Sequence, residues 1–237
     1  MRVTIHQPEH LPWLGLFDKV RQADVFVVLD HVQYRHRYFH NRNRVLSANG
    51  PIWLTVPVLM AGRFRQSICD VEINNAARWQ RKNWETIRRL YSRTPYYSQS
   101  IDQLDDIYNA EWSLLVDMNL SLMSYLFEQF EMNVRMVRSS TLGCTQQKSD
   151  LILEICQKLD AEVYISGISG KDYLKLEDFA SNNIEVVFQK FYHPEYPQRW
   201  PPFHPCMSSI DLLFNCGRGN AELFTRSDVP RLDYLFD

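Results

Sequence analysis

Residues 24–30, DVFVVLD, set five consecutive β-branched, aromatic or aliphatic side chains between two acids. A run this short and this uniformly apolar fits a strand buried on both faces, as strands of parallel sheets are. Upstream, RVTIH (2–6) reads as another short strand. Between them, LGLFDKVRQA (14–23) has apolar residues at 14, 16, 17 and 20, the spacing of a short amphipathic helix. Strand, loop, helix and strand within thirty residues make a βαβ unit.

The alternation lapses and then resumes. Residues 31–50 are polar and basic without a helical period, PIWLTVPV (51–58) reads as a third strand, and SICDVEI (67–73) as a further strand candidate. From 75 to 132 the pattern is helical. ARWQRKNWETIRRLYSRTPYY has apolar residues at 79, 84, 87, 90 and 91 and should stop at Pro95. DDIYNAEWSLLVDMNLSLMSYLFEQFEM continues as one long helical pattern. Then come a strand at 133–140, a helix at 148–161 with Ser149 as N-cap, a strand at 162–170 running into a glycine loop, and a helix in YLKLEDFASNN. A strand at 184–191 and a helix at 208–217 capped by Gly217 complete the series, and the tail after 218 is irregular. The expected fold is α/β: a mainly parallel, Rossmann-like sheet flanked by helices, with a helical insertion or lobe. Residues 1–74 and 133–237 would form the α/β domain and 75–132 the lobe. Trp79, Trp84 and Trp112 would pack the lobe's core or a homodimer face.

Composition narrows the class. The net charge of −2 argues against sequence-independent nucleic-acid binding by the chain as a whole, and a local basic patch is confined to RHRYFHNRNR (35–44). Five widely spaced cysteines with no CxxC pair argue against a disulfide framework or a zinc ribbon. No stretch reaches eighteen uninterrupted apolar residues and no secretory leader pattern opens the chain, so a cytoplasmic protein without a membrane span is expected.

Ligands of open α/β sheets bind outside the carboxyl ends of the strands. Three polar motifs sit at such ends: His6-Gln7 after the first strand, Asp30 after the second, and SGISGKDY (166–173) after a late one. The last is not a Walker A loop, because the glycines are too close and Asp172 stands where Ser or Thr is needed. Its Ser166, Ser169, Gly170 and Asp172 can still cradle an anion, with Lys171 as counter-charge, or the loop is simply a tight glycine turn.

Five of seven histidines fall in the first forty residues, yet no metal-ligand spacing results, so no metal site is assigned. His6 suits a general base or a donor to phosphate, supported by Asp30. The strand, His-containing loop and helix also resemble the nucleotidyltransferase-like part of the HUP superfamily, whose H-x-G-H meets ATP phosphates. His6 and His10 are the nearest equivalents, without the glycine. In DHVQYRHRYFHNRNRV, Gln33, Asn41 and Asn43 can read a sugar or base and Arg42 can grip phosphate. Tyr34, Tyr38 and Phe39 interleave with the basic residues, as a surface that stacks a single-stranded nucleic acid or tRNA end would. The alternative is a solvated polar loop. Cys144 and Cys206 are weak nucleophile candidates without an assignable base, and His193 and His204 lie in a proline-dense loop.

Taken together, IHQPEHLPWLGLFDKVRQADVFVVLDHVQY, HNRNRV, WLTVPV, YISGISGKDYL, VVFQKF and SSIDLLFNCG resemble the WbqC-like family, in order and over most of the chain. His10 departs from the aromatic residue expected in that block. The resemblance implies a cytosolic enzyme of bacterial surface-polysaccharide, or O-antigen, biosynthesis. It would transfer an aminoacyl, glycyl-type group to the amino group of a nucleotide-linked amino sugar. The acyl donor would be an aminoacyl-tRNA, or an acyl group activated with ATP; no other cofactor is implied. A non-catalytic binding protein is the remaining alternative.

Overall fold

The computed structural model describes residues 1–219 and 231–232. It divides into two compact units: Met1–Pro8, Gly15–Val32 and Val134–Phe191 form the first, and Glu9–Leu14, Gln33–Asn133 and the described residues from Tyr192 on form the second.

The first unit is a five-stranded parallel sheet. Its strands are β1 (Arg2–His6), β2 (Val25–Val28), β5 (Arg135–Arg138), β6 (Val163–Ser166) and β7 (Glu185–Phe188), in the spatial order β5-β2-β1-β6-β7. The register pairs His6 with Val28 on one side of β1 and Thr4 with Ile165 on the other. Val3, Ile5, Val25, Val27 and Tyr164 point to one face. There they pack on Ile152, Ile155 and Cys156 of helix α5 (Lys148–Lys158) and Phe179 of α6 (Leu176–Ser181). The buried even-numbered residues Thr4, Phe26 and Val28 point the other way, and helix α1 (Leu14–Val20) connects β1 to β2. The expected parallel Rossmann-like α/β sheet is therefore present. Burial on both faces explains why β2 has no polar alternation.

Most of the second unit is inserted between β2 and β5. Strands β3 (Arg42–Ser47) and β4 (Gly50–Thr55) form an antiparallel hairpin, closed where Gly50 takes φ +97°. The apolar run at 51–58 thus joins this hairpin and not the parallel sheet. Its partner β3 reads as polar because Arg42 and Arg44 alternate with buried Asn43 and Val45. Helices α2 (Trp79–Tyr91) and α3 (Tyr97–Asn109) are separated at Pro95 as expected, and α4 spans Leu115–Gln129. The single long helix expected after 105 is broken at 110–114. There the chain is drawn out to pair with 71–73, with Ile73 N–H on the Ser113 carbonyl at 2.9 Å and Leu115 N–H on that of Val71 at 2.8 Å. Residues 67–73 accordingly form a 3-10 turn and isolated bridges, not a sheet strand.

Helix α7 (Ser209–Cys216) ends at Gly217 as expected, with φ +93°. Strands β8 (His193–Pro194) and β9 (Arg231–Leu232) form a short antiparallel pair, and the rest of the tail lies outside the described residues. Ser149 is not the α5 cap. The helix already includes Lys148, and the Ser149 hydroxyl accepts the Lys175 amide at 3.0 Å. No helix among the described residues is long and apolar enough to cross a membrane, and none of the five cysteines is in a disulfide.

Candidate functional site

Strand order changes direction beside β1. The chain moves from β1 to β2 to β5 on one side, then restarts at β6 on the other. The carboxyl ends of β1 and β6 therefore flank a topological switch point, where doubly wound sheets take their ligands. His6 and Gln7 leave β1 there, and Ser166 and Gly167 leave β6. A Cβ on Gly167 would meet nothing within 4 Å, and its φ of −67° suits any residue, so neither protein packing nor backbone conformation demands a glycine. Gly170 is different: a Cβ there would lie 2.0 Å from Ser166 Oγ, which seats the following 3-10 turn (Ile168–Asp172) on the strand end. Ser169, Lys171 and Asp172 lie exposed on that turn, with Lys171 Nζ 5.5 Å from the Phe188 ring centroid.

His6 is held by a residue that sequence reasoning missed. Lys19, on α1 and only 3% exposed, donates from Nζ to the Ile5 carbonyl and to His6 Nδ1, both at 3.1 Å. An ammonium can only donate, so Nδ1 holds the lone pair and the imidazole hydrogen sits on Nε2. In this arrangement His6 presents an N–H from Nε2. The missed signal is a lysine on a helix whose other turns are apolar.

Asp30 lies just past β2 with no exposed surface. Its carboxylate takes Arg138 Nε (2.7 Å) and Ser140 Oγ (2.8 Å) on one oxygen, Ser139 Oγ (3.1 Å) and Ser140 N–H (2.8 Å) on the other. Two donors per oxygen fill its acceptor positions. Burial alone would raise this carboxyl; Arg138 and Ser140 outweigh it and hold the group below the ordinary carboxylate range. Asp30 is thus committed to the end of β5 and does not serve as the support of His6 that the sequence suggested.

The same network creates another imidazole site. Ser139 gives its hydroxyl hydrogen to Asp30, so its oxygen accepts from His31 Nδ1 at 2.6 Å. His31 Nε2 is then the lone-pair nitrogen, and it is covered with no hydrogen-bond partner among the described residues. A carboxylate–hydroxyl–imidazole relay of this kind orients the ring. The strand-end rule that drew attention to Asp30 would also have found Arg138-Ser139-Ser140. Nearby, Glu154 of α5 interacts electrostatically with His31 and accepts the amides of Thr145 and Gln146 at 2.9 and 3.0 Å. Those two residues, with Gln147, Lys148 and Tyr173, line a cavity of about 490 Å³, within the size range of small-ligand sites.

The remaining predicted residues belong to the second unit. Asn41 donates to the Val56 carbonyl at 2.8 Å and Asn43 to that of Leu11 at 2.9 Å, while Asn43 Oδ1 accepts the Arg44 amide. Asn43 is engaged with backbone at both ends of its amide, whereas Asn41 Oδ1 is buried with no hydrogen-bond partner among the described residues. Gln33 donates to the Phe64 carbonyl at 3.1 Å, and Arg42 donates to that of Arg37. His10 is fully enclosed beside Tyr108 and Asn119, and burial lowers it to about 3 against the opposing Asn119 hydrogen bond. It cannot be the second histidine of a phosphate-binding pair. Cys206 is buried, with its thiol pushed up to about 11, and His193 Nε2 already accepts the Cys206 amide at 3.1 Å. Burial likewise raises the Cys144 thiol, so neither cysteine has thiolate character. Among the described residues no cluster of three His, Cys, Asp or Glu side chains suits a metal ion.

Fold and strand ends define a Rossmann-like α/β protein with its polar groups gathered at the carboxyl edge of the sheet. The chain belongs to the WbqC-like protein family, whose sequence profile matches residues 7–222. It is 31% identical over 218 residues to the uncharacterized protein Rv1507c of Mycobacterium tuberculosis, covering 91% of this chain and 94% of that one. No solved structure matches.

Proposed function

We propose that this protein is a transferase that N-acylates a nucleotide-linked amino sugar, with an aminoacyl group as the acyl unit, in bacterial surface-polysaccharide biosynthesis. The observation that carries the reading is the buried Nε2 of His31, without a hydrogen-bond partner among the described residues and held by Ser139 and Asp30 at the edge where such sheets bind ligands. A substrate ammonium or amine entering there would satisfy that lone pair. In the step proposed, the sugar nitrogen attacks the acyl carbonyl carbon and a C–N bond forms. The bond from that carbon to the donor oxygen breaks. His31 takes the amine proton and returns it to the departing oxygen. His6, as an N–H donor, and Lys171 would face the diphosphate near Gly167, and Asp30 acts as a positioning residue through Ser139.

The test is incubation with a dTDP-linked amino sugar and either an aminoacyl-tRNA or an amino acid with ATP, read as a mass gain of one amino-acid residue. His31→Gln should lower the rate by about 10²–10⁴-fold, the usual worth of a general base. No gain with any donor, from protein that binds the sugar, would sink the reading.

The strand order, with two strands on each side of a central β1 that ends in histidine, also suits an ATP-using nucleotidyltransferase or ligase. That reading predicts ATP–pyrophosphate exchange lost in His6→Ala; a protein without exchange removes it. The enclosure of His10 already deprives it of the second histidine.

A further inference from the structure

From Gln33 to Cys69 the chain carries six arginines and no aspartate, glutamate or lysine. The whole chain is −2, so the rest of it carries −8 against this segment's +6. Within the second unit the segment folds into a run of rings. His40 lies 5.4 Å from Tyr34 and 5.2 Å from Tyr38, and Phe39 lies 5.5 Å from Tyr38 and 5.9 Å from Trp53. Guanidinium groups cover two of them, Arg35 at 4.8 Å from Tyr38 and Arg42 at 4.2 Å from Trp53. Trp53 remains 45% exposed and Tyr38 37%. Phe64, 80% exposed, lies on the adjoining loop, where the Phe64 and Gln66 carbonyls accept Gln33 Nε2 and the Tyr34 amide. The Tyr34 hydroxyl and Arg42 Nε are covered and make no hydrogen bond among the described residues. Two carboxylates reach this surface from outside the segment: Glu9 acts on Tyr38, and Glu72 pairs with Arg63 at 2.6 Å. Arg35, Arg37, Arg42 and Arg65 keep the local charge positive.

We propose that this face of the second unit binds the single-stranded end of an RNA. Flat rings open to solvent stack unpaired bases, and arginines among them meet the phosphates between those bases. A bare polyphosphate or an acidic polysaccharide would use the arginines and leave the rings idle. The proposal rests on the acyl-transfer reading only in naming the RNA, which is then the unpaired 3′ end of a tRNA carrying the acyl unit.

Fluorescence anisotropy with a labelled single-stranded RNA of about ten nucleotides, and with uncharged tRNA, tests it. Binding should weaken with salt, with a logarithmic slope of roughly −3 for about four phosphate contacts. Arg42→Ala should shallow that slope by about 0.7. Tyr38→Ser and Trp53→Ala, checked for folding by circular dichroism, should each weaken RNA binding by about fivefold or more and leave polyphosphate binding unchanged. Absence of RNA binding at low salt overturns the proposal. So does RNA binding indifferent to both ring substitutions, which would mark a merely electrostatic surface. The two readings fail separately: RNA binding without acyl transfer retains this surface and sinks the enzyme, while transfer from an ATP-activated donor without RNA binding does the reverse.

Discussion

Lys19 Nζ lies 3.1 Å from Nδ1 of His6, and this contact decides which nitrogen of the imidazole carries hydrogen. Two-bond ¹H–¹⁵N spectra at neutral pH should show His6 with an unprotonated Nδ1 and a protonated Nε2. Lys19→Met should remove that bias and move both nitrogens toward averaged shifts. A protonated Nδ1 in the native protein would contradict the assignment.

Asp30→Asn should destabilise the first unit by about 2 kcal/mol in urea unfolding, since the charged acceptor of Arg138, Ser139 and Ser140 is lost. The native carboxyl is depressed, so its contribution is complete above the unfolded carboxylate value of about 4 and disappears as pH falls through the lower folded value. The stability gap between the two proteins should therefore close in acid. A gap that widened below about pH 4 would contradict the depressed value.

His10 is held at about 3, below its value of about 6.5 in an unfolded chain. An imidazole depressed in this way supports folding above about pH 6.5 and withdraws that support as pH falls toward the folded value. At about pH 4.5 the loss should be about 2–3 kcal/mol. His10→Phe retains the enclosed ring and cannot titrate. Its urea midpoint should change less between neutral pH and about pH 4.5 than the native protein's, and an equal change would rule out His10 as a source of acid sensitivity.

Gly167 and Gly170 separate packing from binding. Gly170→Ala drives a methyl into Ser166 Oγ and should cost about 1–3 kcal/mol. Gly167→Ala meets open space and should leave stability within about 1 kcal/mol of native. If a nucleotide sugar lies over the switch point, Gly167→Ala should nonetheless weaken its binding, measured by calorimetry. Unchanged affinity would move the ligand away from β1 and β6.

What the linear sequence determined on its own is local in kind. The apolar run at 24–30 announced a strand buried on both faces, Pro95 and Gly217 marked helix ends, and the ordered blocks carried the family. The positions of His6 and Asp30 at strand ends followed from the alternation alone, because dihedral preference and hydrophobic period are properties of adjacent residues. Tertiary structure decided the rest. Asp30 meets donors 108 to 110 residues away, His31 meets the Ser139 hydroxyl across a similar separation, and Lys19 reaches Nδ1 of His6 from the next helix. Asn41 and Asn43, polar enough to suggest a ligand, became ties between backbone segments, and the polar β3 found a hairpin partner. A hydrogen-bonding side chain is satisfied by whatever donor or acceptor the folded chain brings within about 3 Å, and that neighbour is set by packing across distant segments, to which residue order alone is blind.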